Sequence, residues 1–380
     1  MNQKSYGVLL LSFSKHSHQR SFVPLFLDHP RTRIVAVADE PDIEPYLKDW
    51  NESWAQELGV PYIEDVSLAL ERSDVDVVSI GHEIERRATL ILKCAGAGKH
   101  LWIDKFIGAN IEECDTVVEG ILRAGVKTIV PGYTYGELVE RSLALVRHGG
   151  LRTLMGVHAD LMFAKGKPVH VGAADIQRPF LPAGAWKFSD VKRELLTVGA
   201  YAVALIQRCL SDVKCVWGQG DAYFFPEHAA RAAEDFGTLS MTDINGSIAT
   251  ISGSRTGVAS HNAGGLSSAY LVGSHGTAHI DATRPALDEF IRSDITGADY
   301  SVPEDDPMQW ASRAPGQRSA VSPNPLARGL DDFISAIDRD ISPSYTVDDA
   351  RKHMEILLAG YQSIVTGELV RLPLVRGASS

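Results

Sequence analysis

Lys105 is the residue with the clearest chemical promise. It stands in Asp104-Lys105-Phe106, directly after the apolar run 100–103. If that run is a strand of a parallel sheet, Lys105 lies at its C-terminal end, where such sheets bind ligands. A lysine there can hydrogen-bond a reacting hydroxyl, and desolvation lets it exchange a proton near neutral pH. The alternative is a surface lysine with its stem along the protein. Asp39 and Glu40 follow another apolar run, 33–38. An acid at that point holds ribose hydroxyls in dinucleotide-binding folds. Two adjacent carboxylates repel a 2′-phosphate, which favours NAD over NADP; Asp39 capping the next turn is nearly as good a reading. After the first apolar run comes Ser12-Phe13-Ser14-Lys15-His16, without a glycine. Its hydroxyls, Lys15 and the following helix N-terminus offer donors for a phosphate. An ordinary polar loop that binds nothing is the equal alternative.

Other clusters carry less. His158 and Asp160 alternate, so they share a strand face, and His261 could join them. No third ligand sits at a diagnostic metal spacing, and a metal site is not expected. Neither G-x-S-x-G nor H-E-x-x-H occurs, which argues against serine hydrolases and zincins. Trp186 and Lys187 can meet a sugar ring, or Trp186 can anchor a loop.

The elements that must position these residues are readable from periodicity. Apolar runs at 7–11, 33–38, 76–80, 100–103 and 127–130, with a short one from Tyr62, alternate with helical patterns at about 16–27, 49–58, 67–72, 87–97 and 111–124. Such alternation means βαβ units and a parallel sheet. Gly98 is placed to end the helix over 87–97. After residue 130 the texture changes. A helix over 138–146 is followed by strand-like runs at 154–162, 214–218, 237–242, 247–252, 268–272 and 277–280, with turn signals Asn245-Gly246 and His275-Gly276 between them. A helix near 195–210 and two closing helices, 331–338 and 347–365, complete the pattern. Stretches 164–191 and 282–327 read as long irregular segments. The expected fold is α/β: a Rossmann doubly wound parallel sheet over 1–130, then an α+β domain over 131–380 with an open, mostly antiparallel sheet.

Composition narrows the class. The 380 residues carry 37 Lys plus Arg against 48 Asp plus Glu, a net charge of −11. That argues against a general nucleic-acid or anionic-membrane binder. The run Val8–Leu11 is too short for a signal sequence or a membrane span. Four scattered cysteines without a CxxC pair suit a reducing, cytoplasmic setting.

Taken in order, Ile34-Val35-Ala36-Val37-Ala38-Asp39, Asp76-Val77-Val78-Ser79-Ile80, Gly98-Lys99-His100-Leu101-Trp102-Ile103-Asp104-Lys105 and the tail from Tyr345 to Pro373 resemble the Gfo/Idh/MocA oxidoreductase family (glucose-fructose oxidoreductase, inositol dehydrogenase, MocA). The resemblance spans nearly the whole chain. It implies a Rossmann domain, a substrate domain with an open sheet, and hydride transfer between NAD(P) and a sugar, cyclitol or similar polyol. Three motifs depart from it. The glycine-rich phosphate turn is replaced by Ser12 to His16. The T-P-N-like turn beside the cofactor becomes Gly81-His82-Glu83, where His82 or Glu83 can face the pocket or belong to a solvated loop; Glu85 and Arg86 read as solvated. The E-K-P signature becomes Asp104-Lys105-Phe106, which keeps the lysine and loses the proline's constraint on φ. By the same resemblance, Thr197 and Tyr201 match the family's D-x-G-x-H helix positions. Tyr201 is then a proton relay or a core tyrosine, and Thr197 can orient a substrate oxygen but cannot serve as a base. Tyr133 and Tyr135 fall where family members place substrate contacts, and the alternative is that they pack at the domain junction.

The leading expectation is an NAD-dependent oxidoreductase acting on a sugar-like small molecule, with Lys105, Tyr201 and Thr197 catalytic and Ser12, Phe13, Ser14, Lys15, His16, Asp39, Glu40, His82 and Asp104 around the cofactor. Tyr133, Tyr135, Trp186 and Lys187 would meet substrate. Two alternatives stay open: a non-redox binding, regulatory or accessory protein on the same scaffold, and a redox-assisted lyase or epimerase. An open sheet face needs cover, which points to a homodimer or homotetramer.

Overall fold

The computed structural model describes residues 4–14, 17–131, 137–162, 171–172, 192–256, 268–281, 286–291, 316–320 and 326–375. The chain divides into two compact units. Among the described residues, the first holds 4–14, 17–131 and 326–355. A single cut near residue 130 makes no provision for the return of 326–355 to the first unit.

The first unit is built on six parallel strands: β1 (Tyr6–Leu11), β2 (Thr32–Ala38), β3 (Tyr62–Ile63), β4 (Val77–Ile80), β5 (His100–Ile103) and β6 (Thr128–Ile129), ordered β3-β2-β1-β4-β5-β6. This is the doubly wound arrangement. Its order reverses at β1 and β4, and the ligand crevice of such a sheet opens at the strand C-termini beside that reversal. β1 and β4 are buried at every position, as strands covered on both faces must be. Helices α1 (Gln19–Asp28), α2 (Pro45–Leu58), α3 (Val66–Leu70), α4 (Ile84–Gly96) and α5 (Ile111–Ala124) connect them. α1 starts three residues later than periodicity suggested, because His18 is held outside the helix by Asp104. α2 starts earlier, at Pro45, whose fixed φ suits the first helical position. α5 opens on a reciprocal cap: Asn110 Oδ1 accepts the Glu113 N–H at 2.9 Å, and Glu113 accepts the Ala109 N–H at 2.8 Å. Helix α9 (Leu326–Arg339) packs Phe333 edge-on to the fully buried Trp102 of β5, which also meets Phe22 and Phe26.

The second unit carries nine strands: β7 (Leu154–Met162), β8 (Val213–Asp221), β9 (Phe236–Asp243), β10 (Ile248–Ser254), β11 (Ser268–Gly273), β12 (Gly276–Asp281), β13 (Ala286–Ile291), β14 (Gly316–Ala320) and β15 (Val370–Arg371). Their order is β14-β13-β12-β11-β7-β10-β9-β8-β15, antiparallel except for β7 with β10. β13 and β14 lie inside 282–327, which was expected to be irregular. Short strands flanked by Pro, Asp and Ser leave too little periodicity to register. Helices α6 (Glu137–Arg147), α7 (Ala200–Cys209) and α8 (Pro226–Ala229) belong here, and helix α10 (Val347–Thr366) enters from the first unit's part of the chain. The segment expected as one helix over 195–210 begins instead with a π-helical turn, Leu195–Gly199. That turn lies hard against the sheet: a Cβ on Gly237 would come within 2.6 Å of Leu195 Cδ1. The opposite sheet face exposes Trp217, Ile248, Tyr270 and Phe290.

All four cysteines are free and buried. Burial pushes the thiols of Cys94, Cys114 and Cys209 up to about 12, which disfavours the thiolate. Among the described residues no helix is long and apolar enough to cross a membrane.

Candidate active site

The C-terminal ends of β1, β2, β4 and β5 carry Ser12, Phe13, Ser14, Asp39, Glu40, His82, Asp104 and Lys105. After β1 the chain reverses at Ser12, which takes φ 63° and is wholly buried. That left-handed geometry is what glycine normally supplies at this turn. The reversal is tight on its other side as well, since a Cβ on Gly81 would lie 2.7 Å from the Ser12 carbonyl oxygen. Phe13 is buried, stacked on Trp54 of α2 with centroids 4.8 Å apart and planes 5° apart. Its N–H donates to Asn51 Oδ1 at 2.6 Å. Ser14 is buried, while Lys15 and His16 lie outside the described residues. At the start of α1, the His18 N–H donates to Asp104 Oδ2 at 2.8 Å, and His18 Nδ1 lies 2.8 Å from Asp104 Oδ1. Behind them Gln19 and Ser79 exchange buried hydrogen bonds that tie α1 to β4. The turn has the left-handed geometry that glycine usually supplies, and the nearby Phe13 and His18 N–H groups are already engaged by the side chains of Asn51 and Asp104.

Asp39 is fully buried. Its Oδ2 accepts from Asn51 Nδ2 at 3.0 Å, and its Oδ1 receives Arg86 Nη1 at 3.0 Å, the Glu40 N–H at 2.8 Å and His82 Nε2 at 3.0 Å. Burial raises its pKa, yet His82 and then Arg86 outweigh burial and hold the carboxyl well below the usual range. Burial in turn drives His82 toward its neutral form despite Asp39. His82 thus acts mainly as a hydrogen-bond donor, and Arg86 supplies the lasting positive charge. Arg86 also pairs with Glu83 at 2.8 Å, so the reading of Arg86 as a solvated loop residue is corrected. His82 does not face an open pocket in this arrangement; it is packed under Asp39. Glu40 pairs with Lys93 at 3.0 Å. With a cation on each carboxylate, charge repulsion discriminates less against a 2′-phosphate than a bare Asp39–Glu40 pair would.

After β5, Asp104 is buried and Lys105 is partly exposed. Burial raises the Asp104 pKa, but His18 and Arg87 outweigh it and keep the group ionised. Lys105 Nζ lies 5.4 Å from the Phe106 ring centroid, and the Lys105–Phe106 peptide is cis. The fully buried Arg87 staples the loops after β4 and β5 together. It donates to the His82 carbonyl, to the Asp104 carbonyl at 3.2 Å and to the Phe106 carbonyl at 2.7 Å. Sequence reasoning missed Arg87, Asn51 and Gln19. Each works through partners distant along the chain, which hydrophobic periodicity does not report.

In the second unit Thr197 sits on the π-helical turn and Tyr201 on the first turn of α7, where it is 5% exposed. The segment is pinned by buried charge. Glu234 accepts the Leu195 N–H at 3.0 Å, pairs with Arg193 at 3.3 Å and accepts from Tyr361 Oη. Arg255 reaches Glu194 at 2.7 Å. His158 Nδ1 bonds Thr250 Oγ1 at 2.6 Å on the exposed sheet face; His261, Tyr133, Tyr135, Trp186 and Lys187 lie outside the described residues.

Neither a family model nor a curated protein sequence matches the chain. Solved structures do. The chain is similar to aldose-aldose oxidoreductase from Caulobacter crescentus, solved with glycerol, at 16% identity and TM-score 0.74, over 97% of this chain and 100% of that one. It is similar to a levoglucosan dehydrogenase, solved with NADH and levoglucosan, at 15% identity and TM-score 0.72, over 98% and 100%. It is also similar to the WlbA dehydrogenase from Bordetella pertussis, solved with NADH and UDP-GlcNAcA, at 15% identity and TM-score 0.71, over 99% and 100%. The likeness covers both units, and the fold is that of the Gfo/Idh/MocA-type oxidoreductases.

Proposed function

We propose that this fold serves an NAD-dependent oxidoreductase acting on a hydroxyl/carbonyl pair of a sugar, cyclitol or related polyol. The observation that carries the reading is Lys105, partly exposed at the C-terminal end of β5 beside the sheet's reversal. NADH and sugar ligands in the structural relatives support it. NAD, when bound, supplies the hydride acceptor. The protein's part is to hold the reacting hydroxyl at Lys105 Nζ and to take or return its proton there. Tyr201 is assigned a relay role and Thr197 an orienting one. The dinucleotide would be held by the turn from Ser12 to Ser14, the His18 N–H and Asp39. Binding then requires the Phe13 and His18 N–H groups to leave Asn51 and Asp104 for the pyrophosphate.

Those engaged donors favour one other reading, a non-redox binding or accessory protein on this scaffold. Calorimetric titration with NAD and NADH, followed by an absorbance screen of aldoses and polyols, separates the two. Saturable binding and turnover that Lys105→Met abolishes support the enzyme. No binding at millimolar dinucleotide would leave only the accessory reading. The same proposal includes a cytoplasmic location, consistent with four free cysteines, and no nucleic-acid or membrane partner. It also includes a homodimer or homotetramer that covers the exposed face of the nine-stranded sheet.

A further inference from the structure

His353 lies on α10, within the same unit as Lys105. It is 6% exposed. Its Nδ1 lies 2.8 Å from Tyr345 Oη in a buried contact. Its Nε2 is buried and has no hydrogen-bond partner among the described residues. A buried nitrogen left without a hydrogen bond is costly, so its retention asks for a purpose.

The neighbourhood supplies one. Phe106, the residue after Lys105, sets its ring edge-on to His353 at 5.7 Å. Lys105 Nζ lies 5.4 Å from the same Phe106 ring. Tyr345 is itself fixed to the sheet, because its carbonyl accepts the Val130 N–H at 3.1 Å beyond β6. Burial and then the charge of Lys105 push His353 down to about 3, so the imidazole is neutral at ordinary pH. A neutral imidazole keeps one nitrogen as an acceptor.

We propose that His353 is a positioning residue for Lys105: Tyr345 Oη accepts the Nδ1–H of His353, which leaves Nε2 unprotonated as the docking atom for the Lys105 ammonium. No hydrogen bond joins Nε2 to Lys105 in the described arrangement. The lysine's four-carbon stem makes the connection by rotation. Docked, the ammonium is restricted to one region above Phe106, which lowers the orientational cost of presenting it to a substrate hydroxyl. The catalytic consequence rests on the oxidoreductase reading; the pairing itself does not.

The pairing is tested on the full chain without cofactor, by 15N NMR of histidine-labelled protein, with His353→Gln identifying the His353 signals. The expected result is an unprotonated Nε2 whose resonance moves in Lys105→Met. A protonated Nε2, or a resonance indifferent to Lys105→Met, overturns the proposal. The amides of Gln and Asn then separate the two ring nitrogens, since Gln reaches the Nε2 position and Asn the Nδ1 position. With a turned-over substrate, His353→Leu and His353→Asn are expected to lose about tenfold in kcat with KM little changed, and His353→Gln to retain most of it. Equal loss in Gln and Asn counts against Nε2. If NMR shows the coupling but the wild type reduces no dinucleotide, the oxidoreductase reading fails and the pairing stands.

Discussion

The Asp104 carboxylate lies across the start of α1, accepting the His18 N–H at 2.8 Å through one oxygen and meeting His18 Nδ1 at 2.8 Å through the other. A helix N-terminus attracts an anion, and here the protein supplies its own. A dinucleotide's pyrophosphate must compete with that carboxylate. Asp104→Asn removes the competing charge while leaving an oxygen for the His18 N–H. It is expected to tighten NAD binding severalfold, on the order of 1 kcal/mol by the usual size of a charge at a helix end. Calorimetry checks this. Unchanged or weaker binding would show that Asp104 does not compete for the site.

Stability should fall toward acid for reasons that can be assigned to residues. Asp39 and Asp104 have folded pKa values below their unfolded ones. Their contribution is complete above the unfolded carboxylate value and is lost as pH falls through the folded values. His353 is depressed to about 3 in the fold. Between that value and its unfolded value near 6.5 the unfolded chain binds the extra proton, so stability also drops as pH falls there. His82 is shifted in the same direction. The histidines act first, so the urea midpoint should already decline between pH 7 and 5, and the carboxylates should add to the decline below about pH 4. His353→Gln is expected to remove about 1–2 kcal/mol of the upper decline and to leave the lower one intact. A variant whose decline from pH 7 to 5 matches the wild type would contradict the assignment.

The parallel sheet was legible because its strands are short, continuous apolar runs, and the place of Lys105 just after β5 was legible for the same reason. The electrostatics around it were not. Asp39 marks a strand end in sequence, but nothing local says that Asn51, His82 and Arg86 converge on it. The same holds for Arg87, which reads as one more polar residue on a helix and is in fact buried against three carbonyls. The π-helical turn was also hidden. Its pattern is helical, and its form accompanies partners far along the chain: Glu234 on the Leu195 N–H, and Tyr361 Oη 3.4 Å from the Leu196 N. Apolar periodicity reports which side of an element is dry; it does not report which polar groups meet there.

Glu234 offers a stability prediction in the second unit. It is fully buried, and burial raises its pKa even with Arg193 beside it. Removing one member of such a pair strands the other. Glu234→Ala should destabilise by about 3–5 kcal/mol, since Arg193 is left charged in the interior. Arg193→Met combined with Glu234→Leu should recover much of that, because an apolar pair of similar volume avoids the desolvation cost. Urea denaturation of the single and double variants decides it. Equal destabilisation in both would mean that the pair's hydrogen bonds to Leu195 and Tyr361, rather than the stranded charge, set the cost.

The exposed face of the nine-stranded sheet carries a register row that crosses eight strands: Trp217, Ser240, Thr250, His158, Tyr270, His279, Asp288 and Arg318 stand opposite one another in turn. Four of its polar members are joined in pairs, His158 to Thr250 at 2.6 Å and Asp288 to Arg318 at 2.6 Å. Along the row Trp217 and Tyr270 remain 37% and 41% exposed, and Ile248 and Phe290 on the same face are 52% and 44% exposed. A broad face that mixes aromatic groups with satisfied polar ones suits an isologous partner better than bulk water. Light scattering should therefore give at least twice the chain mass. Tyr270→Glu places a charge at the centre of the row and should shift the protein toward monomer, with the monomer's fold unchanged by circular dichroism. Rim substitutions such as Lys214→Glu should leave the mass alone. A wild-type protein that is monomeric at micromolar concentration would rule the interface out, and a Tyr270→Glu variant that keeps the full mass would move it to another surface.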